Sequence, residues 1–208
     1  VGANALSENT TGSVNTAVGV DALRLNTTAP HNTAVGYKSL DINTTGTLNT
    51  ALGSNALLLN TTGGSNTAVG MQALDSNTTA SNNTAVGYVA LSTNTTGSAL
   101  TAIGAAALDA NTTGIDSTAV GVSALSENTT GNYNVAVGRV ALLHNTTASN
   151  NTAVGFSAGE FATTADDSTF VGFQAGQGIT GAKLTGDGNT AVGKDAGLLL
   201  QGAATSNT

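Results

Sequence analysis

The side chains able to carry catalysis are few and scattered. The chain has two histidines, His31 and His144, and no cysteine. They are 113 residues apart in sequence. If the short coils described below stack at about 4.8 Å each, the two imidazoles lie on the order of 30 Å apart. A nucleophile, its base and an orienting carboxylate must touch. No Ser-His-Asp set can be assembled around either histidine, and the acidic residues are spread over different coils. The chain is therefore read as no enzyme, and no cofactor is expected. For hard cations, Asp166-Asp167 and Asp187, the latter inside G-D-G, offer carboxylate oxygens. They lack the regular ligand spacing of a calcium-binding repeat. Turn capping is the simpler reading, so no metal site is expected.

Two regular arrays carry surface chemistry instead. Asn-x-Thr acceptor motifs for N-glycosylation recur at Asn9, Asn26, Asn43, Asn60, Asn77, Asn94, Asn111, Asn128 and Asn145, all in an N-T-T phrase. Asn82 and Asn150 add two more at repeat junctions. A column of solvent-facing turns would make each a candidate glycosylation site. The competing reading is an asparagine ladder whose side chains cap the turns. The second array is Thr16, Thr33, Thr50, Thr67, Thr84 and Thr101, a threonine ladder at strand spacing that suits an ordered-water or ice-binding surface. Such ladders also occur wherever a solenoid shows a polar face. The pairs Val20-Asp21, Tyr37-Lys38, Met71-Gln72, Tyr88-Val89 and Arg139-Val140 vary from repeat to repeat. A cell-surface glycan or receptor would be read there.

These arrays are positioned by a repeat of seventeen residues, seen clearly in Asn32 to Leu48: N-T-A-V-G-Y-K-S-L-D-I-N-T-T-G-T-L. Its glycine returns at Gly19, Gly36, Gly53, Gly70, Gly87, Gly104, Gly121, Gly138, Gly155 and Gly172, and at Gly193 after a four-residue insertion. So strict a period marks a solenoid. The predicted fold is all-β: a parallel β-roll of about twelve coils, two short strands per coil. Residues 1–150 form the regular array. Residues 151–208 are divergent coils of the same continuous body, in which Gly159, Gly176 and Gly197 replace the repeated leucine and all four Phe gather. Larger side chains are expected to fill the space that leucine leaves. The insertion, within Gly178–Gly188, is expected to loop out. The chain starts and stops inside a repeat, so it reads as a window of a longer array or a processed subunit.

Numbering each repeat from its first Asn, positions 2–4 (T-A-V) alternate as a strand does. The glycine then allows a bend, positions 8–11 form a second apolar stretch, and N-T-T-G reverses the chain. The expected core columns are position 4 (Val18, Val35, Val69, Val86, Val120, Val137) and position 9 (Leu23, Leu40, Leu57, Leu74, Leu91, Leu108, Leu125, Leu142). Ala at position 3 points the other way and offers a second apolar face. A core this thin barely offsets the entropy of ordering seventeen residues. Self-association follows as an expectation, as a homotrimer or an end-to-end filament.

Composition agrees with a rod. Charged residues are 8%, aromatics 3%, and the net charge of -7 is scattered. Average soluble proteins carry about 25% charged residues. Five basic residues cannot track a phosphate backbone, so no nucleic-acid partner is expected. No apolar run approaches the roughly 20 residues of a membrane span, so no membrane insertion by this segment is expected.

The phrase N-T-A-V-G-x-x-A-L resembles the head repeats of trimeric autotransporter adhesins (YadA-like heads). With the following N-T-T-G it also resembles repeat arrays of phage tail fibres. The resemblance spans nearly the whole chain, although this coil is longer than the usual adhesin head coil. It implies a trimerised β-roll acting as a stiff extracellular spacer or adhesive head on a cell surface, filament or virion. The expected function is thus structural: a component of an extracellular fibre or adhesin that sets spacing and mediates attachment. The alternative is a module whose repeat face binds host glycan or ice.

Overall fold

A computed structural model describes residues 1–181 and 183–207. It is a β-solenoid. Eleven three-residue strands form one parallel sheet in sequence order: β1 (Thr16–Val18), β2 (Thr33–Val35), β3 (Thr50–Leu52), β4 (Thr67–Val69), β5 (Thr84–Val86), β6 (Thr101–Ile103), β7 (Thr118–Val120), β8 (Val135–Val137), β9 (Thr152–Val154), β10 (Thr169–Val171) and β11 (Thr190–Val192). Pairing is in register throughout, with Thr16 on Thr33, Ala17 on Ala34 and Val18 on Val35. The register survives the insertion, since Thr169 pairs with Thr190 and Val171 with Val192.

Each coil holds one strand, not two. The glycine after T-A-V ends the strand: at Gly36 φ is +138°, a region closed to side chains with a Cβ. A Cβ there would lie 2.4 Å from the carbonyl oxygen of Gly53, so the glycines also let successive coils approach. The second apolar stretch is a chain of turns. Its seventh and ninth positions are left-handed, as in Lys38 (φ 51°) and Leu40 (φ 53°). Left-handed residues cannot continue a pleat, which corrects the two-strand expectation. They still keep the inter-coil ladder intact. The Lys38 N–H donates back to the Val20 carbonyl (2.9 Å), and the Leu40 N–H donates forward to Ala56 (2.9 Å).

The core is the reverse of the face expected from the strand. Ala34, Ala51, Ala68 and their equivalents point inward and are fully buried. Position 4 points out: Val18, Leu52 and Ile103 are 44%, 47% and 41% exposed. Val137 is exposed, and Val35, Val69, Val86 and Val120 are half-buried. These valines are therefore not core. With only seventeen residues per coil the interior is narrow, and the small side chain is the one that fits. The leucines Leu23, Leu40, Leu57, Leu74, Leu91, Leu108, Leu125 and Leu142 are fully buried. Holding a leucine left-handed costs about 1–2 kcal/mol, which burying it, worth roughly 1.5–3 kcal/mol, offsets.

The divergent coils repack the same space. Gly159, Gly176 and Gly197 keep the left-handed backbone (φ 58–60°) without the leucine. Phe170, standing where Ala stands elsewhere, is fully buried in the vacated volume. A Cβ on Gly159 or Gly176 would meet its ring at 2.5 or 2.0 Å. In the insertion Ile179, Thr180, Gly181 and Lys183 are exposed, and Leu184 returns to the core bridged to Ala162 and Gly202.

Candidate binding faces

The turn asparagines lie inside the coil. Asn26, Asn43, Asn60, Asn77, Asn94, Asn111, Asn128 and Asn145 are fully buried. Each Nδ2 donates to the Oδ1 of the asparagine one coil earlier at 2.8–3.2 Å. Each also donates to the carbonyl three residues ahead at 2.9–3.1 Å. Both amide hydrogens are thus committed, and glycosylation at these sites is incompatible with the folded coil. Asn9, in the first coil, is half-buried and donates to Gly12 at 2.9 Å. The junction asparagines Asn82 and Asn150 are exposed. Buried polar groups need partners, and a ladder of identical amides supplies them from coil to coil. The first Asn of the repeat builds a second ladder: the Oδ1 of Asn32 accepts from the Asn49 N–H at 3.0 Å, and its Nδ2 donates to Gly46 at 2.9 Å.

The outer face of the sheet carries two columns. Thr16, Thr33 and Thr50 are exposed, and Thr67, Thr84 and Thr101 are half-exposed. They stand beside the outward valines. Every position 2 and position 4 residue from Thr16 to Val192 is uncharged. The face is mixed hydroxyl and methyl, in register over eleven strands.

The histidines stand on different coils and columns, and the candidate carboxylates are engaged by junction donors. His31 is exposed in a left-handed junction residue. His144 sits on a different column, 3.0 Å from Glu127 and stacked on Phe161 at 5.0 Å between ring centroids. Asp166 accepts from the Ser149 N–H at 2.6 Å, Asp187 from the Asp166 N–H at 2.9 Å, and Asp167 from Asn150 at 3.0 Å. These carboxylates bind backbone and amide donors at the repeat junctions. Among the described residues no group of three or more potential ligands gathers to hold a metal.

Charge is neutralised locally elsewhere. Arg24 Nε lies 2.8 Å from Asp41 Oδ1, and hydrogen bonding to Asp41 with its charge raises the Arg24 pKa. Burial raises that of Asp75, against hydrogen bonds from Ser76 and Gln72. A cleft of about 370 Å³ opens beside β11, lined by Thr190, Ala191, Val192, Ala196, Gly197, Leu200 and Asn207.

Position 6 forms a further column. Tyr37, Met71 and Tyr88 are exposed along it, and Lys38 Nζ lies 5.5 Å from the Tyr37 ring. In the last coils the column becomes Arg139, Phe156, Phe173 and Lys194. The phenylalanine rings stack at 5.4 Å with planes 15° apart. Arg139 lies 5.8 Å from the Phe156 ring and Lys194 6.0 Å from the Phe173 ring. Sequence reasoning singled out this position at Val20, Tyr37, Met71, Tyr88 and Arg139 but did not extend it to Phe156, Phe173 and Lys194. The seventeen-residue spacing of 139, 156 and 173 was the available signal. No helix of the described residues is long and apolar enough to cross a membrane. No protein-family model, curated protein or solved structure matches the chain.

Proposed function

We propose that this chain is a stiff structural rod of an extracellular fibre or adhesin, self-associating as a homotrimer. The observation that carries the reading is the unbroken, in-register sheet of eleven strands braced from inside by asparagine ladders. Ten strand spacings give about 48 Å of rod. Bending such a stack breaks ladder bonds on one side of many coils at once, which is the physical basis of stiffness. The outward Val18, Leu52 and Ile103 column supports self-association, because a continuous apolar stripe along a rod is removed from water when rods pack side by side. Native mass spectrometry of the chain tests this, with electron microscopy for shape. A trimer of straight rods is the expected result. A monomer at high concentration refutes the self-association, and a flexible string refutes the rod.

A second reading rests on a specific observation: threonines and valines share one uncharged outward face at strand spacing. That face suits an ordered-water lattice. Thermal hysteresis measured on the monomeric or trimeric protein tests it, and none at millimolar concentration removes it.

A further inference from the structure

The asparagine column of the N-T-T turns stops at Asn145, and one coil later Ala162 holds the same place. Two buried polar atoms are left without a partner in the chain at this one junction, Asn145 Oδ1 and Asn151 Nδ2. Among the described residues only Asn55 Oδ1 shares that condition. The preceding coil shows how these groups are ordinarily used. There Asn134 Nδ2 and Asn145 Nδ2 converge on one carbonyl, that of Ala148, at 2.7 and 3.1 Å. The equivalent trio one coil later is Asn151, Ala162 and the Ala165 carbonyl. Asn151 Nδ2 makes no such bond, and no donor among the described residues reaches the Ala165 carbonyl. Asn145, Asn151, Ala162 and Ala165 are all fully buried, as is Leu184 one coil further on. Bulk solvent therefore does not solvate these groups.

We infer that one ordered water molecule is bound at this junction, in the place an asparagine amide fills in the earlier coils. The carboxamide that Ala162 does not carry is close in size to a water molecule, whose share of liquid volume is about 30 Å³. In the regular ladder the amide gives one hydrogen to the Oδ1 of the previous coil and one to the carbonyl three residues ahead, as Asn111 does with Asn94 and Gly114. A water molecule has the same two hydrogens to give. It donates one to Asn145 Oδ1 and one to the Ala165 carbonyl, and its oxygen accepts from Asn151 Nδ2. Three hydrogen bonds are what a buried water ordinarily makes. Hydrocarbon from Leu184 in the same space would leave all three groups bare, against the general rule for buried polar atoms. A hard cation is disfavoured, because it takes oxygen ligands and the Asn151 N–H would point at it.

The site is internal and independent of trimerisation. A high-resolution crystal structure of the full chain tests it. A water peak is expected about 2.7–3.2 Å from Asn145 Oδ1, Asn151 Nδ2 and the Ala165 oxygen. In solution the Asn151 side-chain amide should show a nuclear Overhauser effect to long-lived water. Ala162→Asn brings its own amide into the place, so the folded variant should lose both the peak and the Overhauser effect. No peak in the parent protein, Leu184 side-chain density filling the place, or an Overhauser effect that persists in Ala162→Asn overturns the inference. The first two outcomes are read on the parent protein and do not depend on the variant folding.

Discussion

Truncating Asn111 to alanine should destabilise the chain far more than the same change at Asn145, although both are fully buried members of one ladder. Asn111 Nδ2 donates to Asn94 Oδ1 at 2.8 Å and to the Gly114 carbonyl at 3.1 Å. Its Oδ1 accepts from Asn128 at 3.0 Å. The Gly114 carbonyl has no second donor, because Leu100 occupies the position from which an asparagine serves this carbonyl in other coils. Asn111→Ala therefore strands two buried acceptors, Asn94 Oδ1 and Gly114 O, and one Nδ2 hydrogen of Asn128, whose other hydrogen keeps its bond to Gly131. At about 1–3 kcal/mol for each stranded group, the two acceptors alone cost about 2–6 kcal/mol. Asn145 is different. Its Oδ1 already lacks a donor, since the next coil has Ala162 at this position. The Ala148 carbonyl that it serves also receives Asn134 at 2.7 Å. Asn145→Ala strands only Asn128 Oδ1 and removes one existing orphan, so the net cost is about 0–2 kcal/mol. Urea denaturation followed by circular dichroism reads the difference. Hydrogen exchange at the Thr95 and Thr112 amides reports whether the loss is local to the coil, as a solenoid permits. Equal midpoints, or a larger loss for Asn145→Ala, would refute the ladder account.

Three further expectations are open to direct measurement. Gly159→Leu restores the repeated leucine but drives it into Phe170, so it should destabilise alone and be rescued by Phe170→Ala; a double-mutant cycle without coupling above about 0.5 kcal/mol contradicts the repacking. Exposing the folded chain to an N-glycosylating enzyme should modify Asn82 or Asn150 and leave Asn43 through Asn145 of the buried ladder untouched, which peptide mapping by mass spectrometry reads. Burial raises the Asp75 pKa, so the folded state binds its proton more readily than the unfolded chain. The stability penalty is absent below the unfolded pKa and grows as pH rises through the folded one. Asp75→Asn should therefore stabilise at neutral pH and lose that advantage in acid; a difference between the two proteins that does not change with pH goes against it.

The strict seventeen-residue period was enough to determine the solenoid, its parallel stacking and the columns of like residues, because equal spacing in sequence becomes equal height in a stacked coil. Leu23 to Leu142 could be placed in the core from repetition and apolarity together. Direction around the coil was another matter. T-A-V offers two apolar faces, and only the width of the closed coil decides that Ala34 points in and Val35 points out. The N-T-T phrase fits an exposed acceptor site and a buried ladder equally well as a string of letters. The choice needs the neighbouring coil in place, where each Asn Nδ2 finds an oxygen above or below. Likewise A-L-x-L looks like a strand until Leu40 and Lys38 are seen left-handed, a conformation fixed by closing the turn rather than by local preference. The pairing of Arg139, Phe156, Phe173 and Lys194 arises the same way: residues distant in sequence become neighbours because the backbone returns to the same azimuth once per coil.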